Sequence, residues 1–223
     1  MQPNYWAREK LDQFERPGLD LFFTGLGELH AGGWCWDGRD GYDYRQFELH
    51  VESILEKRPD ARPILYIGGR PPYGWQLDNR EELIVLEDGA VTNMAAFSSP
   101  RWISDSSQAV RRFVEHFERS RWADSIAGYN PIYVSNEWLM GAYHTDYAPG
   151  TTERFRSWLR DFYDGDEARL RDRWRDREAS FATASPPTYA DYAAHGRTGM
   201  FDRYERLGTY AQDYLRFFND SVA

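Results

Sequence analysis

The residues best suited to chemistry are Asn136 and Glu137, which follow, after Ser135, a mostly apolar stretch from Ile126 to Val134. A carboxylate at the end of a buried strand sits in a low dielectric, which raises its pKa. A glutamic acid tuned in this way acts as a general acid near neutral pH. Asn136 beside it can hydrogen-bond a hydroxyl group. The same pair also reads as a helix-capping Asn followed by a solvated Glu, since Asn is a favoured N-cap. The histidines offer little else. His50 and His116 fall within helical patterns, His144 and His195 in loops, and no metal-ligand spacing joins them. There is no nucleophile elbow, no GxGxxG fingerprint and no P-loop. Cys35, the one cysteine, excludes an intrachain disulfide framework and a multi-thiolate metal site. Neither a metal nor a cofactor is expected.

Aromatic side chains carry the second signal. The chain has nine Trp, 15 Tyr and 13 Phe, and several stand beside Gly, Pro or Asp, where loops are expected. These are Trp34, Trp36, Tyr42, Tyr73, Trp75, Trp102, Tyr143 and Tyr147. Loop aromatics next to polar residues suit carbohydrate, because a sugar ring has an apolar C–H face and hydroxyls that need partners. The competing reading is that these rings cover the core.

Elements that could position such residues follow from periodicity. Tyr5 to Phe14 reads as a short helix ended by Pro17-Gly18, and Asp20 to Thr24 as a buried strand. A glycine- and Trp-rich loop runs from Gly25 to Gly41. Phe47, Val51, Ile54 and Leu55 form a helical stripe that stops near Pro59. Pro63 to Ile67 is the second strand. Leu83 to Thr92 reads as a hairpin in which Asp88-Gly89 favours a type I′ turn. Val110, Phe113, Val114 and Phe117 mark a helix, and Ile126 to Val134 contains the third strand. Phe155, Trp158, Leu159 and Phe162 share one helical face. Leu170 and Trp174 belong to the next helix, and Pro186-Pro187 breaks the chain. Met200 to Asp220 is a last helix, patterned by Phe201, Tyr204, Ala211, Leu215 and Phe218. Alternating helices and strands imply parallel strands with crossovers, in a doubly wound sheet or a (β/α)8 barrel. The absence of phosphate-loop glycine spacing and the long polar, aromatic loops after each strand favour the barrel.

Composition narrows the classes. A net charge of −9 repels polyphosphate, so nucleic acid is not an expected partner. No apolar run approaches 18 residues, and no membrane partner is expected. The N-terminus shows no signal-peptide pattern, which points to a cytoplasmic location. Homo-oligomerisation is left open. Of the 27 basic residues only Lys10 and Lys57 are lysine, a bias ascribed mainly to genome composition.

An ordered series of motifs runs through the chain. It comprises Pro59-Asp60-Ala61, Pro72-Tyr73-Gly74-Trp75, Asp88-Gly89 and Phe97-Ser98-Ser99-Pro100-Arg101-Trp102. It continues with Asn136-Glu137-Trp138, Phe155 to Tyr163, Leu170 to Trp174 and Pro186-Pro187. The series resembles the β-galactosidase-like barrel glycosidases, the retaining glycoside hydrolases of clan A, and family 42 in particular. The resemblance implies an α/β fold, a partial (β/α)8 barrel covering about strands 2 to 4, with residues 1–223 as one catalytic-barrel segment. It implies a carbohydrate substrate, Glu137 as the acid/base and Asn136 at the sugar 2-hydroxyl. Arg70 and Trp75 would lie near the glycone. Glu28, His30, Trp34 and Trp36 would line the same mouth, as would Trp138.

Two features depart from the family. The segment Met140 to Asp146 lacks the cysteines that hold zinc in some members, so no such zinc is expected. Retention also needs a second carboxylate about 5–5.5 Å from the first, and no Asp or Glu here is a convincing nucleophile. The chain therefore reads as part of a barrel, cut at both ends. Two other readings stand beside this one: a non-catalytic carbohydrate-binding or scaffold protein derived from such a barrel, and a complete small α/β protein with different chemistry.

Overall fold

A computed structural model describes residues 21–24, 35–67, 70–131, 145–188 and 209–222. The chain divides into two compact units, residues 1–77 with 105–133 and residues 78–104 with 134–223.

The first unit holds a parallel sheet of β1 (Leu21–Thr24), β2 (Arg62–Ile67) and β5 (Gly128–Pro131), in that order. β2 lies in the middle. Leu21 pairs with Arg62 and Thr24 with Leu65 on one side, and Ile64 with Gly128 and Ile67 with Pro131 on the other. The three strands follow one another across the sheet in chain order, with a separate two-stranded sheet inserted in the sequence between β2 and β5, an order that strands of a barrel share. In β2, Pro63, Leu65 and Ile67 are buried and alternate with less buried residues, the period of two that a pleated strand imposes.

Helix α1 (Arg45–Lys57) connects β1 to β2 and buries Phe47, Val51 and Ile54, as the sequence stripe predicts. Helix α2 (Tyr73–Asp78) follows β2, where a loop was expected. Helix α3 (Pro100–Glu118) starts ten residues before the predicted Val110 stripe. Its start is capped, because the Ser99 hydroxyl accepts the Trp102 N–H at 3.0 Å just before Pro100. Trp102 is thus helical and 2% exposed, not a loop aromatic. Phe113 and Phe117 of α3 are fully buried and meet Phe47 edge-on, at 4.8 and 6.5 Å between ring centres.

The second unit contains a hairpin of β3 (Leu83–Val85) and β4 (Val91–Ala95). Its turn is not type I′. Leu86 and Ala90 close a three-residue loop through the Leu86 N–H to Ala90 carbonyl bond at 2.9 Å. Within this loop only Gly89 adopts a positive φ, +84°. A three-residue loop asks for one left-handed residue at its end, whereas type I′ asks for two.

Helices α4 (Pro149–Phe162), α5 (Glu167–Trp174) and α6 (Thr209–Val222) complete the unit. Their core joins Ile84, Met94 and Phe97 of the hairpin segment to Phe155, Leu159, Leu170, Tyr214, Phe217 and Phe218. Phe97 contacts three rings of α6 edge-on, the nearest being Phe218 at 4.6 Å. The expected apolar face of α4 is narrower than its sequence stripe. Phe155 and Leu159 are buried, whereas Phe162 is 42% exposed. On α6 the buried face is Asp213, Tyr214, Phe217 and Phe218, with Leu215 half-buried.

Candidate active site

In a parallel sheet all strands end at one edge. The chain therefore leaves β1 after Thr24, β2 after Ile67 and β5 after Pro131 at the same edge. The sequence-predicted site residues follow those three exits. Asn136, Glu137 and Trp138 after β5, and Glu28, His30 and Trp34 after β1, lie outside the described residues. Arg70, Trp75 and Trp36 lie within them.

Trp36 belongs to a tight loop closed by an antiparallel bridge to Tyr42. The Asp43 N–H donates to the Cys35 carbonyl at 2.8 Å. Asp37 Oδ1 accepts the N–H groups of Arg39 and Gly41 at 2.7 and 3.1 Å. The Trp36 indole N–H donates to the Arg39 carbonyl at 2.7 Å, and the ring is 4% exposed. Cys35 is buried, and desolvation pushes its thiol up to about 12. The thiol is a packing group rather than a nucleophile.

This loop and the one after β2 meet backbone to backbone. A Cβ added to Gly38 would stand 2.2 Å from the Trp75 nitrogen, and one on Gly74 would stand 2.4 Å from the Asp37 carbonyl oxygen. Only residues without a side chain permit that approach. Gly38 also has a φ of +94°. With α2 pressed down this way, Trp75 turns inward. Its ring is 1% exposed and its N–H donates to Asp105 Oδ2 of α3 at 2.9 Å. Trp75 and Trp36 thus sit inside the packing that fixes the two loops. The aromatic that faces outward on α2 is Tyr73, 72% exposed. Arg70 is half-buried between β2 and α2. The structure brings the Trp36 and Trp75 segments together. Nothing in the sequence marked Gly38 and Gly74 as their contact points except their being glycines between aromatic residues.

The stretch that carries Asn136 and Glu137 rejoins the described chain at Thr145, within the second unit. Here the sequence reading missed a structural anchor, Asp146. Its carboxylate is fully buried and accepts the N–H groups of Val85 and Ala148, each at 2.9 Å, and the Thr151 hydroxyl. The Asp146 N–H in turn donates to the Tyr214 hydroxyl at 3.0 Å. One side chain thereby ties the hairpin, the start of α4 and α6 to the chain emerging from residue 144. Burial raises the Asp146 pKa, opposed by these hydrogen bonds and by the charge of Arg154. An Asp two residues before Ala148-Pro149 is a recognisable helix-start pattern and was the available signal. Among the described residues no group of three His, Cys, Asp or Glu side chains is placed to hold a metal ion, and no helix is long and apolar enough to cross a membrane.

Comparison with solved structures places the fold. A β-galactosidase from the Antarctic haloarchaeon Halorubrum lacusprofundi matches over 100% of this chain with a TM-score of 0.66 and 22% identity. A β-galactosidase from the psychrophilic Marinomonas ef1 matches over 100% of it, with a TM-score of 0.65 and 16% identity. The catalytic domain of a β-amylase from Paenibacillus polymyxa covers 99%, with a TM-score of 0.66 and 16% identity. The chain spans 31% and 33% of the two β-galactosidases and 57% of the β-amylase domain. No protein-family model and no curated protein sequence matches it. The chain thus has the fold of part of a (β/α)8 barrel, as its motif series implies.

Proposed function

We propose that this chain is the portion of a retaining, β-galactosidase-like glycoside hydrolase barrel that carries the catalytic acid/base, Glu137. The observation that supports this most is topological. Three parallel strands lie side by side in chain order, and the stretches bearing the proposed site residues leave them at one edge. Barrel enzymes build their sites at that edge.

In this reading residues 1–223 form one catalytic-barrel segment whose partner is a carbohydrate. Glu137 protonates the glycosidic oxygen as the bond breaks, then removes a proton from water in the second step. Asn136 holds the 2-hydroxyl, a contact that strengthens as charge develops on the ring. Arg70, Glu28, Trp34 and Trp138 line the sugar pocket. Trp36 and Trp75 act one layer behind, holding the loops after β1 and β2 in register. The second carboxylate that a double displacement requires is assigned to no residue here. That gap keeps a non-catalytic sugar-binding role as the second reading.

A panel of nitrophenyl glycosides, the β-galactoside included, separates the two when assayed with the protein that carries these residues. Turnover of at least one glycoside supports the enzyme. Saturable binding of galactosides without turnover supports the sugar-binding protein, and neither binding nor turnover refutes both.

A further inference from the structure

The sequence holds four Asp-Gly pairs, Asp37-Gly38, Asp40-Gly41, Asp88-Gly89 and Asp164-Gly165, all among the described residues. Such a pair carries a latent reaction of the backbone. The glycine nitrogen can attack the carboxyl carbon of the aspartate side chain, because no Cβ shields it. A C–N bond forms, the nitrogen gives up its proton, the carboxyl gives up its hydroxyl, and one water leaves. The cyclic imide then takes up a water at either carbonyl. Opening at the main-chain carbonyl routes the chain through the side-chain carbon and yields isoaspartate. The mass is unchanged, and water is the sole other reactant.

The fold restrains the four pairs unequally. Asp37 Oδ1 accepts the N–H groups of Arg39 and Gly41 at 2.7 and 3.1 Å, and Gly38 is buried, with its backbone against the Trp75 nitrogen. In the next pair the Gly41 N–H is therefore taken by a carboxylate, and the Gly41 carbonyl accepts the Asp37 N–H at 3.0 Å. The Trp36–Tyr42 bridge closes the loop around both pairs. At Asp164 the Arg169 guanidinium holds Oδ2 at 2.9 Å. The Asp164, Gly165 and Asp166 amides all bond back to the end of α4, on the carbonyls of Asp161, Arg160 and Tyr163. Forming the imide at any of these three pairs requires several such bonds to open together.

Asp88-Gly89 is different. Glu87, Asp88, Gly89 and Ala90 are all exposed, and a Cβ on Gly89 would meet nothing within 4 Å. The Gly89 N–H donates to the Leu86 carbonyl at 2.9 Å, a bond within the hairpin loop itself. Asp88 Oδ1 accepts the Ala90 N–H at 2.9 Å. The Gly89 nitrogen is part of the ring that this bond closes, so the carboxyl is already turned along the chain toward it. A loop of exposed residues has little packing to lose when it opens.

We propose that Asp88-Gly89 is a modification site, at which the hairpin tip isomerises to isoaspartate while the other three pairs are held back by the fold. The product adds one carbon to the backbone between Leu86 and Ala90 and leaves a carboxylate directly on the Asp88 Cα. The site is independent of the glycosidase reading.

The test is to age the whole 223-residue chain in warm, mildly acidic buffer, since the carboxyl loses water from its neutral form, and to map its tryptic peptides. Asp88 is the sole aspartate between Arg80 and Arg101, so its peptide reports this pair alone. Isoaspartate shifts the peptide in chromatography at constant mass, and fragmentation places it. In the folded chain the isomerised fraction at Asp88 should grow at least about fivefold faster than at any other Asp-Gly pair, the equilibrium cost of one further hydrogen bond. In urea the four rates should converge. Gly89→Ala shields the attacking nitrogen and should slow the reaction at Asp88 about fivefold or more. Faster ageing of another pair in the folded chain would overturn the proposal, as would no isoaspartate at Asp88 while the unfolded chain accumulates it. The same spread of rates in urea as in the folded chain would assign the selectivity to neighbouring residues rather than to the fold, and would overturn it too.

Discussion

Replacing Asp146 with Ala probes the anchor that fixes the chain beyond the proposed catalytic stretch. Three donors lose their acceptor: the Val85 and Ala148 amides at 2.9 Å and the Thr151 hydroxyl. Thr151 keeps a second partner, Ser98 at 3.3 Å, so the loss falls on the two amides. Each buried donor left without an acceptor costs about 1–3 kcal/mol, and the sum for Asp146→Ala is about 2–6 kcal/mol. Asp146→Asn keeps one acceptor oxygen for the two amides and loses the bond from the Thr151 hydroxyl, at a cost of about 0.5–1.5 kcal/mol, the worth of one neutral hydrogen bond. The two variants also separate by pH. Burial raises the native pKa of Asp146 above 3.8, so the folded state holds this proton more tightly than the unfolded state does. The stability it contributes is therefore fully present below pH 3.8 and declines as pH rises through the native pKa. The asparagine variant has no such slope, so its deficit relative to the parent is greatest in acid and shrinks toward neutral pH. Urea unfolding followed by tryptophan fluorescence measures both effects, and hydrogen exchange at the Val85 amide reports the local one. A cost below about 1 kcal/mol for Asp146→Ala, or an unchanged Val85 exchange rate, would show that the carboxylate anchors nothing.

Two further outcomes follow from the first unit. Gly38→Ala places a Cβ 2.2 Å from the Trp75 nitrogen at a φ of +94°, so it should lower stability by about 2–4 kcal/mol, read by thermal unfolding. Gly89→Ala, also at positive φ but with open space around the added carbon, should cost only about 1 kcal/mol and serves as the control. Cys35, buried with its thiol raised to about 12, should resist a thiol reagent at pH 8 in the native protein. It should react fully in denaturant, and rapid native labelling would mean that its loop opens.

Much of the architecture was legible because it rests on periodicity. The stripe Phe47, Val51 and Ile54 gave α1, and the apolar run Pro63 to Ile67 gave the central strand β2. The elements misread were those defined by capping and close approach. The Ser99-Pro100 start of α3 carries no apolar period, and the Asp-Gly hairpin turn depends on how many residues the strands leave between them. At the site, the strand exits were legible from the motif order. The inward turn of Trp75 was not, because it depends on two glycines in separate segments meeting in space. Asp146 and Asp213 escaped for a related reason. A buried carboxylate is recognisable only from the donors that surround it, and those come from residues as distant in sequence as Val85, Tyr163 and Trp174.

The assignment of Glu137 is tested most directly by Glu137→Gln in the protein that carries these residues, assayed on paired glycosides with poor and with activated leaving groups. General acid catalysis contributes about 10²- to 10⁴-fold. Turnover of the glycoside with the poor leaving group should fall by that factor. The first step with the activated one should fall far less, since its leaving group needs little protonation. Added azide, which attacks without base assistance, should restore turnover of the activated substrate. Near-normal hydrolysis of the unactivated glycoside by Glu137→Gln would contradict the account.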